Sequence, residues 1–231
     1  MKFYGIQKLS LVDYDSEVSC TLFTKGCNLR CPFCHNFELV EDSGYNNEAI
    51  DNKELEQFLL SHKNRLTGVV ITGGEPTINQ DLPETIRWIK SFGYKVKLDT
   101  NGSNPKMLKE LIDNKLIDYV AIDIKNSPDD YSGITGRINL DMEPFKESVS
   151  YLLSHDFPYE FRTTLIDEYH KEDNIRKLGK FIKGARVIFL QKFEVSEYVP
   201  LKTLHPVDNK KVLEYKHILE EYVSEVHLRG Y

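Results

Sequence analysis

The sequence predicts an α/β fold, an incomplete parallel (β/α)6 barrel (a partial TIM barrel). Three observations predict it. Short β-rich runs alternate with helical runs about six times between residues 17 and 193, and such alternation implies a parallel sheet with right-handed crossovers. No G-x-G-x-x-G fingerprint follows any predicted strand, which disfavours an open dinucleotide-binding sheet. Gly-rich and charged motifs fall at the ends of successive strands, where parallel barrels carry their active sites. The 231 residues suit a barrel domain over 1–195 with an extension over 196–231 that packs on it.

The elements follow in order. "KFYGIQKLSLVD" reads as a short N-terminal strand or hairpin at the edge of the barrel. "EVSCTLFT" (17–24) alternates and is β-rich, so it is the first barrel strand. Residues 46–64 carry Ile50, Leu55, Phe58 and Leu59 at helical spacing. "GVVIT" (68–72) is a short buried strand. A helix is expected over 81–92, with Asp81 as N-cap and Pro83 in its first turn. A strand over 94–100 precedes a helix over 104–114 with Pro105 just inside its start. Strands over 118–125, 159–166 and 186–193 alternate with helices over 143–156 and 172–184. The strand over 186–193 is read as the last, and a C-terminal helix is expected over 208–222.

A net charge of −6 with no basic run argues against nucleic-acid partners and an electrostatic membrane anchor. No apolar stretch approaches the roughly 20 residues of a membrane span, and no apolar leader opens the chain, so a cytoplasmic protein is expected.

Three of the four cysteines, Cys27, Cys31 and Cys34, fall in "GCNLRCPFCHN", followed by His35. This clustering points to metal or redox chemistry. The residues alone admit a redox CxxC, a CxxCH haem attachment site, a Cys₃His zinc site with His35, or three ligands of an iron–sulfur cluster. Cys20 shares a strand face with Val18 and Leu22 and reads as a buried apolar residue. The other unusual motifs mark later strand ends: "TGGEP" (Gly73, Gly74, Glu75, Pro76), "DTNG" (Asp99, Thr100, Asn101), "DIK" (Asp123, Lys125) and "RTT" (Arg162, Thr163, Thr164). One shared site on that rim is expected. His62, His155, His170, His205 and His217 are read as surface residues without partners.

CxxxCxxC after the first strand, together with GGEP after the second, resembles the radical S-adenosylmethionine (SAM) family over roughly residues 3–193. The resemblance implies that Cys27, Cys31 and Cys34 bind three irons of a [4Fe–4S] cluster, leaving the fourth for SAM. Zinc is disfavoured because His35 and Cys34 are adjacent, haem by the lack of an export signal, and a redox CxxC because it leaves Cys27 and GGEP unexplained. The resemblance places the methionine ammonium at Gly73, Gly74, Glu75 and Pro76, with Glu75 adding negative charge. Phe33 is expected near the adenine, and Arg162 near the ribose or carboxylate. DTNG, DIK and "CHN" narrow the likeness to the glycyl-radical-enzyme activases. It implies a monovalent cation on Asp99, Thr100 and Asp123, Asn101 beside them, and Lys125 on the methionine carboxylate. A local Asp123–Lys125 ion pair is the plainer alternative. The opening 35 or so residues look most similar to activating proteins of anaerobic ribonucleoside-triphosphate reductase, although Asp15-Ser16 stands where that subgroup commonly has Pro-Gly. Activases of pyruvate formate-lyase are the nearest competitor. The implied partners are a glycyl radical enzyme as protein substrate and a flavodoxin or ferredoxin as electron donor. A radical SAM enzyme acting on a small metabolite and an iron–sulfur electron carrier are the alternatives.

Overall fold

The computed structural model describes residues 1–40 and 48–231. Part of the helical run expected over 46–64, residues 46 and 47, lies outside the described residues. The chain divides into two compact units.

The first unit comprises Met1–Asn28, Asn36–Thr100 and Asn104–Val120. Of the strand or hairpin expected over 2–13, a short strand is present: β1 (Gly5–Ser10) runs antiparallel to β2 (Ser19–Thr24), with Ile6 opposite Leu22. β2 pairs in parallel with β3 (Gly68–Gly73), Ser19 against Gly68 and Thr24 against Gly73, and β3 pairs in parallel with β4 (Lys95–Thr100). Val69, Val70 and Ile71 are wholly buried, so β3 reads as a continuous apolar run, as a strand covered on both faces should. Among the described residues, four α-helices connect these strands or follow them: α1 (Phe37–Val40), α2 (Asn52–His62), α3 (Leu82–Ser91) and α4 (Pro105–Asp113). In α3, Leu82, Ile86 and Ile89 recur on one face and are fully buried, each contributing about 1.5–3 kcal/mol. Asp51 caps α2 by accepting from the Lys53 and Glu54 amides. Asp81 holds the N-cap position of α3 but makes no capping bond; its carboxylate pairs with the Met1 amino group instead.

The second unit comprises Leu29–His35, Asn101–Ser103 and Ala121–Tyr231. It holds the end of β5 (Tyr119–Asp123), then α5 (Tyr131–Thr135), α6 (Glu143–Ser154), β6 (Tyr159–Leu165), α7 (Glu172–Phe181), β7 (Val187–Lys192), α8 (Asn209–Leu219) and β8 (Glu225–Arg229). β6, β7 and β8 are parallel, with Phe161 opposite Ile188 and Ile188 opposite Val226. β8 corrects the reading that strands end at 193. "EVHLR" buries only Val226 and half-buries Leu228 and Arg229 while exposing Glu225 and His227, so its strand character comes from pairing with β7.

Candidate functional site

The residues expected on the rim form two groups, one in each unit. In the first unit, β3 ends at Gly73, whose φ of +117° favours glycine. A Cβ on Gly73 would lie 2.3 Å from the Thr24 nitrogen, and one on Gly74 would lie 1.9 Å from the Gly26 oxygen. The two glycines were expected to admit a ligand. Their immediate neighbour is the chain's own backbone at 24–26, just before Cys27. Hydrogen bonds from Gly74 N–H to the Thr24 carbonyl (3.0 Å) and from Glu75 N–H to the Gly26 carbonyl (2.8 Å) close this contact. The Asn36 amide of the CHN motif donates to the Gly73 carbonyl at 3.3 Å.

Glu75 is buried and turned inward. Its Oε1 accepts from Thr77 N–H (3.1 Å), the Thr77 hydroxyl (2.6 Å) and the Thr100 hydroxyl (2.6 Å), so one carboxylate ties the turn that follows β3 to the end of β4. Pro76 opens the short 3-10 helix Pro76–Ile78 that Glu75 caps. Asp99 lies 3.9 Å from Lys97 Nζ, and this lysine side chain is only 2% exposed. Lys97 also donates to the Asp13 carbonyl at 2.7 Å. It was not singled out from the sequence, though strand alternation puts it on the same face as Asp99.

In the second unit the loop 29–35 carries Cys31 and Cys34. Cys34 N–H donates to the Cys31 carbonyl at 3.1 Å, closing the turn. Arg30 N–H donates to the Thr135 carbonyl (2.9 Å), and Leu201 N–H donates to the Pro32 carbonyl (3.0 Å). His35 Nε2 donates to the Glu194 carbonyl at 2.7 Å, which engages one ring nitrogen of the residue a Cys₃His zinc site would need. None of the four cysteines is in a disulfide, and Cys20 is buried as expected. Burial pushes the Cys20 thiol up to about 12, so it stays protonated.

Phe33 is buried beneath Lys125, whose Nζ stands 5.9 Å from the ring centroid. Asp123 joins two cations: Lys125 Nζ at 3.0 Å from Oδ2 and Arg162 Nε at 2.9 Å from Oδ1. The local ion pair is therefore formed, with Arg162 added. Burial works against ionisation of Asp123, but Arg162 and Lys125 outweigh it and hold the carboxyl well below the usual range. Burial likewise opposes the charge on Lys125; Asp123 and Cys31 outweigh it and push the ammonium up. Asn101 Oδ1 accepts from Ser103 N–H at 2.9 Å and shapes a turn. The Thr163 hydroxyl donates to the Ile124 carbonyl at 2.8 Å.

His170 overturns its sequence reading. It is fully buried and bonded at both ring nitrogens: Nδ1 accepts from Ile166 N–H at 3.0 Å, and Nε2 donates to the Lys125 carbonyl at 3.0 Å. No local pattern marks it, because Lys125 is 45 residues away. Tyr131 was also missed; its hydroxyl accepts from Lys125 N–H at 3.0 Å. His155, His205 and His217 are exposed as expected, but they have partners: Tyr151 and Glu220 within a turn of His155 and His217, and Glu168, 37 residues away, for His205 at 2.6 Å. His62 is half-buried and bonds the Phe58 carbonyl at 2.9 Å.

Parallel strands with a cysteine loop and charged strand ends define an α/β enzyme of the partial-barrel kind. The model of the radical SAM superfamily matches residues 21–179. A Methanocaldococcus jannaschii protein assigned by name to the glycyl-radical enzyme activating enzymes is 34% identical over 97% of this chain and 94% of its own. The pyruvate formate-lyase-activating enzyme of Clostridium pasteurianum is 29% identical over 93% of this chain and 88% of its own. A domain of the Bacteroides vulgatus pyruvate-formate lyase-activating enzyme shares the fold, with a TM-score of 0.57, 18% identity, and 71% of this chain and 99% of that one covered. The chain belongs to the radical SAM superfamily, in the class of glycyl-radical-enzyme activating enzymes.

Membership implies a [4Fe–4S] cluster and SAM. The donor chemistry fits, since the CxxxCxxC thiols are not tied up in disulfides and Lys125 carries an ammonium that an anionic group can use. Among the described residues no helix is long and apolar enough to cross a membrane.

Proposed function

We propose that the protein generates a glycyl radical on a partner enzyme, with Cys27, Cys31 and Cys34 as ligands of the cluster. The observation that carries this reading is the second-unit array: Phe33, between two loop cysteines, lies beneath a Lys125 ammonium that Asp123 holds at 3.0 Å. Such an array supports thiolate ligation, stacking of an aromatic group and capture of a carboxylate within one unit.

When bound, the cluster would be held by Cys27, Cys31 and Cys34 and, with SAM and one electron from the donor protein, would supply reductive sulfonium cleavage and hydrogen-atom abstraction. The chain's own residues bind and orient. Lys125 would hold the methionine carboxylate, and Arg162 keeps Asp123 ionised and in place. Gly73, Gly74, Glu75 and Pro76 form the wall for the methionine ammonium. Glu75 acts chiefly through the negative field of its buried carboxylate, because Oε1 already accepts from Thr77 and Thr100. Phe33 flanks the adenine, and Asn101 shapes the neighbouring turn. Asp99 and Thr100 are proposed for a monovalent cation. Asp123, which the same likeness would add to that site, has Lys125 on one oxygen and Arg162 on the other.

The partner proposed is anaerobic ribonucleoside-triphosphate reductase, from the opening stretch of the sequence. The Clostridium relative supports a formate-lyase as the second reading. A flavodoxin or ferredoxin is proposed as electron donor, the cytoplasm as location, and 1–195 as the catalytic domain with 196–231 as its extension. The test is anaerobic reconstitution, reduction, addition of SAM and each candidate partner, and an EPR spectrum. A glycyl-radical doublet with one partner identifies it. Free 5′-deoxyadenosine without a doublet moves the substrate elsewhere, and an intact cluster giving neither signal points to an electron carrier.

A further inference from the structure

We infer that His170 is a positioning residue for the SAM site: it fixes the backbone of Lys125, so that the ammonium is presented at one place. This rests on the role proposed above for Lys125.

The five residues after Ile122 are fastened almost atom by atom. Ile124 N–H donates to the Arg162 carbonyl (2.8 Å), and the Ile124 carbonyl accepts from the Thr163 hydroxyl (2.8 Å). Lys125 N–H donates to Tyr131 Oη (3.0 Å), and the Lys125 carbonyl accepts from His170 Nε2 (3.0 Å). Asn126 Nδ2 donates to the Tyr169 carbonyl at 3.1 Å. Both peptide groups flanking the Lys125 Cα are thus bound, leaving its side-chain torsions as the main freedom. His170 is held in its turn. Its Nδ1 accepts from Ile166 N–H, and its carbonyl accepts from the Tyr215 hydroxyl of α8 at 2.7 Å. Nδ1 also lies 3.2 Å from the Ile166 carbonyl; the neutral imidazole with its proton on Nε2 is the form that serves both the Ile166 amide and the Lys125 carbonyl. α8 therefore reaches the Lys125 segment through one buried ring.

Two substitutions separate positioning from packing. In His170→Gln the amide NH₂ falls near the place of Nε2 and can still donate to the Lys125 carbonyl. In His170→Asn the side-chain oxygen falls near the place of Nδ1 and can still accept from Ile166, but nothing reaches Lys125. Both lose one bond and part of the ring. SAM binding is measured by equilibrium dialysis on the reconstituted protein, and amide hydrogen exchange over 123–127 is measured without SAM. The expected result is a SAM Kd about tenfold weaker in His170→Asn, the scale of one lost buried hydrogen bond. His170→Gln should bind within about threefold of the parent, and exchange over 123–127 should be faster in Asn than in Gln. Tyr215→Phe, which keeps the ring volume, should weaken binding in the same direction. Equal SAM affinity and equal exchange in Asn and Gln would overturn the inference. Lys125→Met separates the two levels. If it binds SAM as well as the parent does, the role of Lys125 fails and takes the inference with it. If it binds weakly while His170→Asn binds normally, only the inference fails.

Discussion

A single methyl group on Gly74 should damage the cysteine loop. The Cβ of Gly74→Ala would stand 1.9 Å from the Gly26 carbonyl oxygen and 2.7 Å from its carbon. Ordinary non-bonded contact needs about 3.5 Å, so the backbones at 26 and 74 must part by roughly 1.5 Å. Both partners are main chain, and no rotamer change can relieve the clash. The parting breaks the 2.8 Å bond from Glu75 N–H to Gly26. A lost bond of about 1 kcal/mol and overpacking strain of about 2 kcal/mol together destabilise the protein by roughly 3 kcal/mol. For a chain of this size the melting temperature should fall by roughly 10 °C. Gly26 precedes Cys27, so reconstituted iron content should fall as well. Gly133→Ala is the control. Nothing lies within 4 Å of its Cβ, and it sits inside α5. It should be neutral or stabilise by about 0.5–1 kcal/mol. The assays are anaerobic thermal melting and iron and sulfide analysis. A Gly74→Ala protein that melts with the parent and holds its full iron complement would refute the close-approach argument.

Acid should reach His170 as well. Burial pushes its imidazole down to about 4 from an ordinary 6.5. The native state therefore binds fewer protons than the unfolded chain between these values. Its contribution is complete above 6.5 and is lost as pH falls towards 4, on the order of 3 kcal/mol in total. Urea midpoints at several pH values should fall more steeply across that window for the parent than for His170→Gln, and parallel slopes would contradict it. Cys31→Ser should abolish iron retention in reconstitution, whereas Cys20→Ala should keep its iron and lose only packing stability. Glu75→Ala leaves one amide and two hydroxyls without their acceptor, at a cost of about 3 kcal/mol in a denaturant titration. Glu75→Gln keeps an acceptor and should lose less than half of that.

Short-range pattern was enough for most of the fold. β3 is an unbroken apolar run and α3 repeats its buried residues every three or four positions, so each element announces its own burial. The cysteine spacing and the strand-end motifs were equally legible, because their chemistry lies in a few adjacent residues. Asp123 and Lys125, two apart on one strand end, could be paired by alternation alone, and Lys97 with Asp99 obeys the same rule. Tertiary structure decided the rest wherever a group's partner is distant in the chain. Val226 and Leu228 mark a strand only because β7 lies alongside to pair with it. Asp81 looks like a helix cap until the Met1 amino group takes its carboxylate. The charge of Glu75 invites a reading as an exposed site group, yet three donors, two on Thr77 of the 3-10 helix and one on Thr100 at the end of β4, hold it inside. A lone histidine in a loop reads as solvated. In the folded chain, Ile166 and a Lys125 carbonyl 45 residues away satisfy both nitrogens of His170, and that bonding makes its burial affordable.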